Sequence, residues 1–437
     1  MVHGPWSIVS AKLLSLGLGL LTSDFPDLLL PPMSPNTMRR IDRWVGVPLC
    51  FLLSPFCWIS DTIRGAKRKK ADIRRTLFIE LSEMGSAILV DPAMKKLQAN
   101  GAGLYFAIFS KNYKSLEILN TIPAENVFRM NAKNFGTLLL EIFRFLAWCR
   151  RKRISTVIDL ELFSRFTALL SFFSGARSRV GFTNFHDEGC YRGNLTNKPV
   201  RYNPHVHIAV NFISLVNRAL DLFHTPYSIV PVGSEELRLG RATVSEQQKN
   251  VVREKIRQLY PPWNGEQVLL FNVNASDLLP QRRWQKENFT RVARELLQRF
   301  PNAIVVATGA PAEREYVQDF VSMVGNERCV NSAGFFEFSE LVPLYSISRL
   351  MITNDSGPAH FASVTELKVF VLFGPETPHL YLPLGGNAEP IYRNMPCSPC
   401  VSAANHRKTT CIPRPCITGI EPEPVLQKLE IFLRQSL

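Results

Sequence analysis

Short apolar runs alternate with longer amphipathic segments from Thr76 onward, the pattern expected of β-strands followed by helices. In the first half, strands are predicted for TLFIEL (76–81), LYFAIFS (104–110) and STVIDLEL (155–162), and helices for SAILVDPAMKKLQANG and FSRFTALLSFFSG. A second series begins near Gln267, with strands predicted for QVLLFNVN, NAIVVATG, RLMIT and KVFVLFG, and helices for KENFTRVARELLQRF, PAEREYVQDFVSMV, FSELVPLYSIS and GPAHFASVTE. This alternation predicts parallel sheets covered on both faces. We therefore expect an α/β protein with two doubly wound, Rossmann-like domains that face a cleft.

The length of 437 residues also favours more than one core. We assign an N-terminal domain to 74–232, a polar linker to 233–265 and a second domain to 266–395. A cysteine-containing segment and helix follow at 396–437.

Ahead of these domains lies an apolar stretch, WVGVPLCFLLSPFCWI, at 44–59. It is shorter than the roughly 20 residues of a spanning helix, and Pro48 and Pro55 would each break or kink a helix. Basic residues flank both of its ends, most densely in RGAKRKKADIRR (64–75). We interpret 39–73 as a monotopic or re-entrant anchor with a basic linker; a spanning helix and a core helix are the alternatives. Residues 1–38 are interpreted as disordered or as preceding the natural start.

The net charge of +14 calls for an anionic partner, whereas 46% apolar and 20% charged residues exclude wholesale disorder. Phosphate-bearing ligands, an anionic membrane and nucleic acid are the three classes considered. The density of basic residues beside the apolar stretch favours the membrane. No aromatic residues interleave a basic surface in the way typical of nucleic-acid binding, so that interpretation ranks last.

Four of the nine cysteines form the pattern C-x2-C-x10-C-x4-C near His406. Paired thiolates at such spacing are able to close a tetrahedral zinc site. Reduced thiols that only pack are the alternative. The four residues are Cys397, Cys400, Cys411 and Cys416.

The stretch ITNDSGPAH (352–360) places polar chemistry where a buried strand ends and a helix begins. Ligands of open α/β sheets bind at such strand ends, and the N–H groups that begin a helix bind phosphate. Asp355 or Ser356 is expected to cap the helix, and Gly357 lets the backbone approach a ligand. An ordinary helix cap is the alternative.

Two further strand ends carry compatible residues. Arg282 and Arg283 follow QVLLFNVN, and arginine binds phosphate through two parallel hydrogen bonds. Glu313 follows NAIVVATG and suits a contact to a nucleoside. His205 and His207, by contrast, are expected only to begin a helix.

Together these motifs resemble glycosyltransferase family 9, the heptosyltransferases. The resemblance rests on TNDSGPAHFASVTELKVFVLFGPETP with the cysteines after it, on RRWQKENF, and on RTLFIELSEMGSAILVDPAMKKL. It extends over about residues 74–430. It implies a GT-B fold and an inverting, metal-independent transfer of a sugar, usually from ADP-heptose, onto lipopolysaccharide core or a related lipid-linked glycan. The corresponding location is the cytoplasmic face of the bacterial inner membrane.

The resemblance also implies roles for individual residues. Arg282 would bind a phosphate and stabilise the leaving group, and Arg283 would lie beside it. Glu313 would contact the nucleoside. The diphosphate and sugar would be held by Asn354, Asp355, Ser356, Gly357 and His360.

This chain departs from the family in its first loop, where L-S-x-x-G-D is replaced by LSEMGS. Ser86 stands where the family has an aspartate that is the proposed base, and a hydroxyl cannot take that role. Glu83, in the acceptor loop with Ser82, Gly85 and Ser86, is the substitute we expect, and Asp91 is a weaker candidate. Two rival functions follow: a catalytically inactive nucleotide-sugar-binding homologue and, more remotely, a basic nucleic-acid-binding protein.

Overall fold

The computed structural model describes residues 35–65, 70–162, 164–183, 191–275, 279–402 and 408–435. Several sequence predictions lie outside these ranges: those for residues 1–34, for part of the basic segment (66–69) and for His406.

The N-terminal domain is built on a parallel sheet, as predicted, and this sheet has six strands. Its spatial order is β3-β2-β1-β4-β5-β6. The strands are β1 (Arg75–Ile79), β2 (Gly103–Phe109), β3 (Val127–Met130), β4 (Thr156–Asp159), β5 (Ser178–Phe182) and β6 (Lys198–Val200). The helices are α1 (Pro35–Ile41), α2 (Val47–Arg64), α3 (Ser86–Leu89), α4 (Asp91–Ala99), α5 (Lys114–Glu117), α6 (Phe135–Lys152), α7 (Arg165–Phe173) and α8 (Ile208–Ala219).

The C-terminal domain repeats this arrangement with the order β12-β11-β10-β7-β8-β9. Its strands are β7 (Gln267–Asn272), β8 (Ala303–Ala307), β9 (Cys329–Asn331), β10 (Leu350–Asn354), β11 (Lys368–Phe373) and β12 (Ala388–Tyr392). Its helices are α9 (Glu246–Leu259), α10 (Lys286–Arg299), α11 (Arg314–Val324), α12 (Leu341–Ile347), α13 (Gly357–Ala362), α14 (Pro378–Tyr381), α15 (Pro415–Thr418) and α16 (Pro422–Arg434). The order in which strands are added to the sheet reverses between β1 and β4 in one sheet and between β7 and β10 in the other, as in dinucleotide-binding folds.

Alternating side chains of β1 separate two helix layers in the N-terminal domain. Phe78 packs in the core with residues of α4 and α8, whereas Leu77 and Ile79 pack with residues of α6 and α7. Helices α6 and α7 therefore cover the same face of the sheet. Phe145 and Trp148 fix α6 there through edge-on ring contacts with Phe128 of β3 and Tyr105 of β2, respectively.

The predicted anchor is longer and more integrated than its sequence suggested. Helices α1 and α2 continue into each other through a π-helical turn (Asp42–Gly46), and we refer to residues 35–64 as the N-terminal helix. Pro55 lies inside α2 without ending it, so the predicted break does not occur. Of the described helices, this one is long and apolar enough to cross a membrane by length and composition.

Both acidic residues of the N-terminal helix tie it to the domain. Asp42 Oδ1 accepts hydrogen bonds from the backbone N–H groups of Arg165 and Phe166, at 2.8 and 2.9 Å, and so caps α7. Asp61 pairs with Arg179 at 2.7 Å, and both side chains are buried. The helix is therefore part of the N-terminal domain rather than a separate segment.

The segment expected to be a polar linker, 233–265, contains the 14-residue helix α9. Only Val252 and Ile256 of α9 are buried, which explains why its sequence lacks a strong apolar pattern. The preceding stretch joins the domains, since Gly240 N–H donates to Asp91 at 3.3 Å and Ala242 N–H donates to the carbonyl of Val364 at 3.0 Å.

Candidate active site

The two predicted functional loops leave the sheets where the strand order reverses. Glu83 lies after β1 in the N-terminal sheet, and Asp355 follows β10 in the C-terminal sheet. Ligands of such sheets bind beyond the carboxyl ends of the strands at these points. Both loops are therefore positioned for ligand binding, one in each domain.

The two loops meet across the cleft. Gly85 lies so close to His360 that a Cβ added to the glycine would be 2.9 Å from His360 Cδ2. Nearby, His207 Nε2 is 2.8 Å from the carbonyl oxygen of Leu382, which again joins one domain to the other. Residues predicted separately for acceptor and donor thus face a single site.

Glu83 and Ser86 are directly bonded in the acceptor loop. Ser86 Oγ donates to Glu83 Oε2 at 2.9 Å; Ser86 is buried and Glu83 half-buried. The serine that replaces the family's aspartate therefore orients the carboxylate that we predicted as its substitute. A hydrogen bond donated to a carboxylate favours its charged form and fixes its rotamer.

Glu161, two residues after the end of β4, holds the acceptor loop in place through hydrogen bonds. Its Oε1 accepts from the backbone N–H groups of Leu81 and Ser82, at 3.0 and 3.1 Å, and from Ser82 Oγ at 2.9 Å. Both the N–H and the hydroxyl of Ser82 thus bond to Glu161, although Ser82 is exposed. The Glu161 carboxylate therefore holds the acceptor loop, and the loop itself carries the Glu83 carboxylate.

Burial makes this end of the N-terminal sheet rich in weak acids. The pKa of Glu80 is raised well above its usual value by burial and by the charges of Glu161 and Glu83, and Glu80 is hydrogen-bonded to Glu161. Burial likewise raises the pKa of Asp159 to about 6, although Arg192 Nη1 lies 2.8 Å from Asp159 Oδ2. Glu80 therefore acts as a protonated donor to Glu161, which keeps Glu161 able to accept from the loop.

Asp91, the weaker candidate for the base, has a structural role instead. Its carboxylate is fully buried and is paired with Lys95 at 2.8 Å, and it also accepts from Thr121 and Gly240. It lies at the start of α4. Asp91 is therefore withdrawn as a base.

Arg282 and Asp355 form an ion pair on the donor side, with Arg282 Nη1 at 3.3 Å from Asp355 Oδ2. Asp355 is 5% exposed. Arg282 Nε and His360 Nδ1 are buried and have no hydrogen-bond partner among the described residues. Buried polar atoms are normally paired, so these two indicate a place where a ligand completes the site.

His360 is uncharged under ordinary conditions. Burial lowers its pKa to about 4, outweighing the opposite effect of the Asp355 carboxylate. A neutral imidazole both donates and accepts one hydrogen bond, and it leaves the positive charge of this side to Arg282.

The other residues predicted to bind the sugar donor are held by hydrogen bonds within the protein. Asn354 is fully buried: its Oδ1 accepts from the N–H of Trp284, and its Nδ2 donates to the carbonyls of Val273 and Asn274, so it joins the strand ends rather than facing the cleft. Arg283 donates from Nε and Nη2 to the carbonyl of Ala275, at 2.9 and 2.7 Å.

Ser356 precedes α13 but makes no capping bond to it through its side chain; its Oγ donates to the carbonyl of Asn354. The helix has only six residues, so its N–H groups matter more than its dipole. Gly357 leaves room, because an added Cβ would meet only Phe361, at 3.5 Å. Glu313 accepts from Asn274 Nδ2 and from the N–H of Ala310, at 2.8 and 2.7 Å, at the end of β8.

Three of the four clustered cysteines lie close enough to the fourth, Cys416, to affect its ionisation. The pKa of Cys416 is raised by burial and by the thiols of Cys400, Cys397 and Cys411. Within the part of the chain that the structure describes, no three His, Cys, Asp or Glu side chains are placed to hold a metal ion. Zinc at these cysteines stays a prediction.

A family model decides the relationship of the chain. The model described as glycosyltransferase family 9 (heptosyltransferase) matches residues 147–410, more than half of the sequence. The chain belongs to glycosyltransferase family 9. This confirms the resemblance inferred from the sequence.

Individual family 9 relatives are distant. Lipooligosaccharide heptosyltransferase 2 of Campylobacter jejuni serotype O:2 (strain NCTC 11168) is 26% identical over 179 residues, which is 40% of this chain and 53% of that protein. The chain thus matches about half the length of this curated relative. Among solved structures, E. coli ADP-heptose lps heptosyltransferase II is 20% identical, with a TM-score of 0.64 over 83% of this chain and 99% of the other.

A glycosyl transferase family 9 protein from Veillonella parvula DSM 2008 is also 20% identical, with a TM-score of 0.65 over 84% and 99% of the two chains. At this identity the likeness to both structures establishes the shared fold. The expected GT-B arrangement of two α/β domains is therefore confirmed.

Three site features were missed from the sequence of this family 9 member. Glu161 was assigned only to a strand, the Ser86–Glu83 bond was not foreseen, and His207 was expected only to begin a helix. His207 does begin α8, where its Nδ1 accepts from Ala209 N–H, but it also bridges the domains beside His360. The acidic end of STVIDLEL was the available signal for Glu161, since a buried strand rarely ends in two acids without a local reason.

Proposed function

We propose that this protein is an inverting heptosyltransferase that transfers heptose from ADP-heptose to the core of lipopolysaccharide or lipooligosaccharide. Family membership and the names of its relatives support the reaction class and the substrates. The observation that carries the proposal is the convergence of the Glu83 carboxylate, the Arg282–Asp355 ion pair and His360 on one cleft.

Glu83 is the general base in this mechanism. Its carboxylate takes the proton from the acceptor hydroxyl as that oxygen attacks the anomeric carbon of the donor, on the face opposite the diphosphate. Ser86 and the acceptor loop hold the carboxylate in one orientation, which reduces the entropy lost on reaching the transition state. The base thus lies three residues before the position that the family uses.

Arg282 stabilises the leaving group. As the bond between the anomeric carbon and the phosphate oxygen breaks, negative charge develops on the nucleoside diphosphate, and the guanidinium neutralises it. Asp355 orients Arg282, and neutral His360 supplies a hydrogen bond without adding charge. Protein groups therefore supply both the base and the charge stabilisation.

The enzyme is proposed to act at the cytoplasmic face of the inner membrane, where its lipid-linked acceptor would lie. The N-terminal helix supports this location because its outer side exposes Trp44 (75%), Phe51 (66%), Phe56 (68%) and Ile63 (81%). Asp42 and Asp61 hold the other side on the domain. A spanning orientation would break both attachments, so the helix is proposed to lie in the interface.

The decisive experiment measures ADP release from ADP-heptose in the presence of lipopolysaccharide core from a strain that lacks its second heptosyltransferase. We expect release that requires both substrates, and thermal stabilisation of the protein by ADP rather than UDP or GDP. An Asp355→Ala variant should lose the stabilisation by ADP. Absence of a shift with any nucleotide would contradict the donor site.

A catalytically inactive homologue is the second candidate, and the serine at position 86 favours it. Such a protein would be stabilised by ADP-heptose and yet release no ADP with any acceptor. Turnover by the wild-type chain removes this candidate.

A further inference from the structure

Large apolar side chains are exposed mainly on three helices of the N-terminal domain. Among the described residues, ten such side chains lie on the N-terminal helix, four on α6 and one on α7, against six elsewhere. Large contiguous apolar surface on a soluble domain marks an interaction site. The four residues of α6 are not explained by the anchor proposed above.

Helix α6 is apolar on two sides. Its inner side packs Phe145, Trp148 and Cys149 in the domain core. Its outer side exposes Phe135 (54%), Leu139 (47%), Leu140 (53%) and Phe143 (63%), which share one side at helical spacing. A surface helix needs apolar residues only on its inner side, so the outer residues require a partner.

The outer side of α6 is continuous with that of the N-terminal helix through α7. Leu170 and Phe166 of α7 pack in the same core cluster as α6, while Ala168 and Phe172 pack with Cys50 of the N-terminal helix. Helices α6 and α7 cover the same face of the sheet, and the N-terminal helix lies next to α7. Phe173, the last residue of α7, is 43% exposed and adds one apolar side chain to the surface of this helix layer.

The charges of these helices identify the kind of partner. Their three acidic residues all face inward: Asp42 pairs with Arg165 at 3.3 Å, Asp61 with Arg179 at 2.7 Å, and Glu141, 8% exposed, with Arg144 at 2.6 Å. The exposed charged residues are all cations: Arg39, Arg40, Arg43, Arg64, Arg150 and Arg151 lie toward the ends of the helices, and Arg144 lies in the middle of α6. An apolar centre with a cationic border matches the acyl chains and headgroups of an anionic bilayer.

We propose that the outer side of α6 (Phe135, Leu139, Leu140 and Phe143) inserts into the same anionic membrane surface as the N-terminal helix. This deepens the membrane location within the proposed function and rests on it, but it is independent of the sugar transferred. Contact through two helices fixes the tilt of the domain on the membrane, which one helix alone would not do.

The topology places this contact next to the cleft. Helix α6 begins after the carboxyl end of β3, the same edge of the sheet at which β1 leads to the Glu83 loop. The apolar residues lie in the first half of α6 and the basic residues in the second. The inserted part is therefore the part nearest the cleft, so a lipid-linked acceptor has a short path to Glu83.

The test uses the full chain and vesicles of phosphatidylglycerol and phosphatidylethanolamine. The variant Leu139→Gln/Leu140→Gln/Phe143→Gln is compared with Val251→Gln/Ile412→Gln/Ile431→Gln, which removes exposed apolar residues of the other domain. Phe51→Gln/Phe56→Gln/Ile63→Gln tests the N-terminal helix itself. We expect the α6 variant to lose about tenfold or more in vesicle partitioning and the other-domain variant to stay near wild type.

The outcomes separate the two proposals. An α6 variant that partitions like wild type, while the N-terminal-helix variant is released, overturns the α6 contact and leaves the anchor. A wild-type chain that does not bind these vesicles overturns the membrane location as well. If the chain without lipid is a dimer that the α6 variant dissociates, with vesicle binding unchanged, the surface is a protein interface and the proposal is wrong.

A second measurement guards against a folding defect in the α6 variant. Hydrogen exchange of wild-type α6 should slow on addition of the anionic vesicles, and much less with phosphatidylcholine alone. Exchange that is unchanged by the anionic vesicles contradicts insertion irrespective of any variant.

Discussion

The two domains share one strand order but carry opposite chemistry where that order reverses. In the N-terminal sheet, the ends of β1 and β4 present four carboxyl groups, those of Glu80, Glu83, Asp159 and Glu161. In the C-terminal sheet, the end of β10 and the loop after β7 present Arg282 and a neutral His360 with one carboxylate, Asp355. The two domains thus share one backbone arrangement. The side chains of the N-terminal domain are suited to accepting a proton, and those of the C-terminal domain to stabilising a leaving anion.

The largest expected effect comes from removing the proposed base, Glu83, in the acceptor loop of the N-terminal domain. Glu83→Gln keeps the size of the side chain and its contact with Ser86 but cannot take a proton. We expect kcat to fall by about 10² to 10⁴-fold, the usual contribution of a general base, with ADP affinity unchanged. Steady-state ADP release and ADP titration calorimetry measure the two quantities.

Ser86→Ala provides the comparison for this prediction. It removes the bond that orients Glu83 and should reduce kcat by less than Glu83→Gln does. Turnover of Glu83→Gln within about threefold of wild type would assign the base elsewhere, with Glu161 the next carboxylate to test.

Arg282→Lys weakens the cationic side without removing its charge. A lysine cannot form two parallel hydrogen bonds to a diphosphate, so we expect kcat/KM to fall by about 10²-fold. Arg349→Lys, before the opposite end of β10, is the matched control, because Arg349 packs over Phe432 far from the loop. Equal losses for the two variants would show a general effect on the domain rather than one on the leaving group.

The pH dependence of the free energy of unfolding distinguishes the two domains, because the buried groups of each change stability in opposite directions as the pH falls. His360 has a folded pKa of about 4, below its unfolded value, so it destabilises the fold as pH falls from about 6.5 toward 4. The buried acids Asp159 and Glu80 have raised pKa values, so their share of stability is present in acid and is lost as pH rises through those values.

His360→Gln should therefore flatten the acid limb. We expect wild type to lose about 2 kcal/mol more than the variant between pH 7 and pH 4.5, measured by urea unfolding. His205→Gln, at an exposed histidine, should follow the wild-type curve. Parallel curves for His360→Gln and wild type would mean that His360 is not buried uncharged.

The sequence predicted the sheets well because their central strands are continuous apolar runs. It did not predict the edge strands β3, β6, β9 and β12, which are short and contain polar residues or proline, nor the inner strand β5, SRVGF, whose apolar run is interrupted by arginine and glycine. The N-terminal helix was underestimated because Pro48 and Pro55 oppose helix locally, whereas burial of Cys50, Cys57 and Asp61 against the domain favours it. Tertiary packing outweighed the local preference.

Site residues were likewise predictable where local sequence determines them and not where tertiary contacts do. Glu83 and Asp355 were predictable because they end apolar strands in motifs of known chemistry. Glu161 supports the Ser82 N–H from 79 residues away, and Gly85 meets His360 across the two domains, so neither contact is visible without the topology. Asn354 illustrates the converse: it belongs to the motif, yet its amide holds the backbone of neighbouring loops and does not face the cleft.

The smallest effect should come from the two glycines that mark the corresponding loops, Gly85 and Gly357. In Gly85→Ala the new Cβ would lie 2.9 Å from His360 Cδ2, so the loops must separate by a few tenths of an ångström; in Gly357→Ala the nearest atoms of Phe361 are at an ordinary 3.5 Å. We expect Gly85→Ala to reduce stability by about 1 kcal/mol and kcat/KM by about tenfold, because catalysis depends on the positions of groups from both domains. Gly357→Ala should leave stability within about 0.5 kcal/mol of wild type. Its ADP affinity then reports on the donor alone: a loss of ADP binding without a loss of stability places the diphosphate over Gly357, whereas full affinity in both variants would separate the contact between the loops from donor binding.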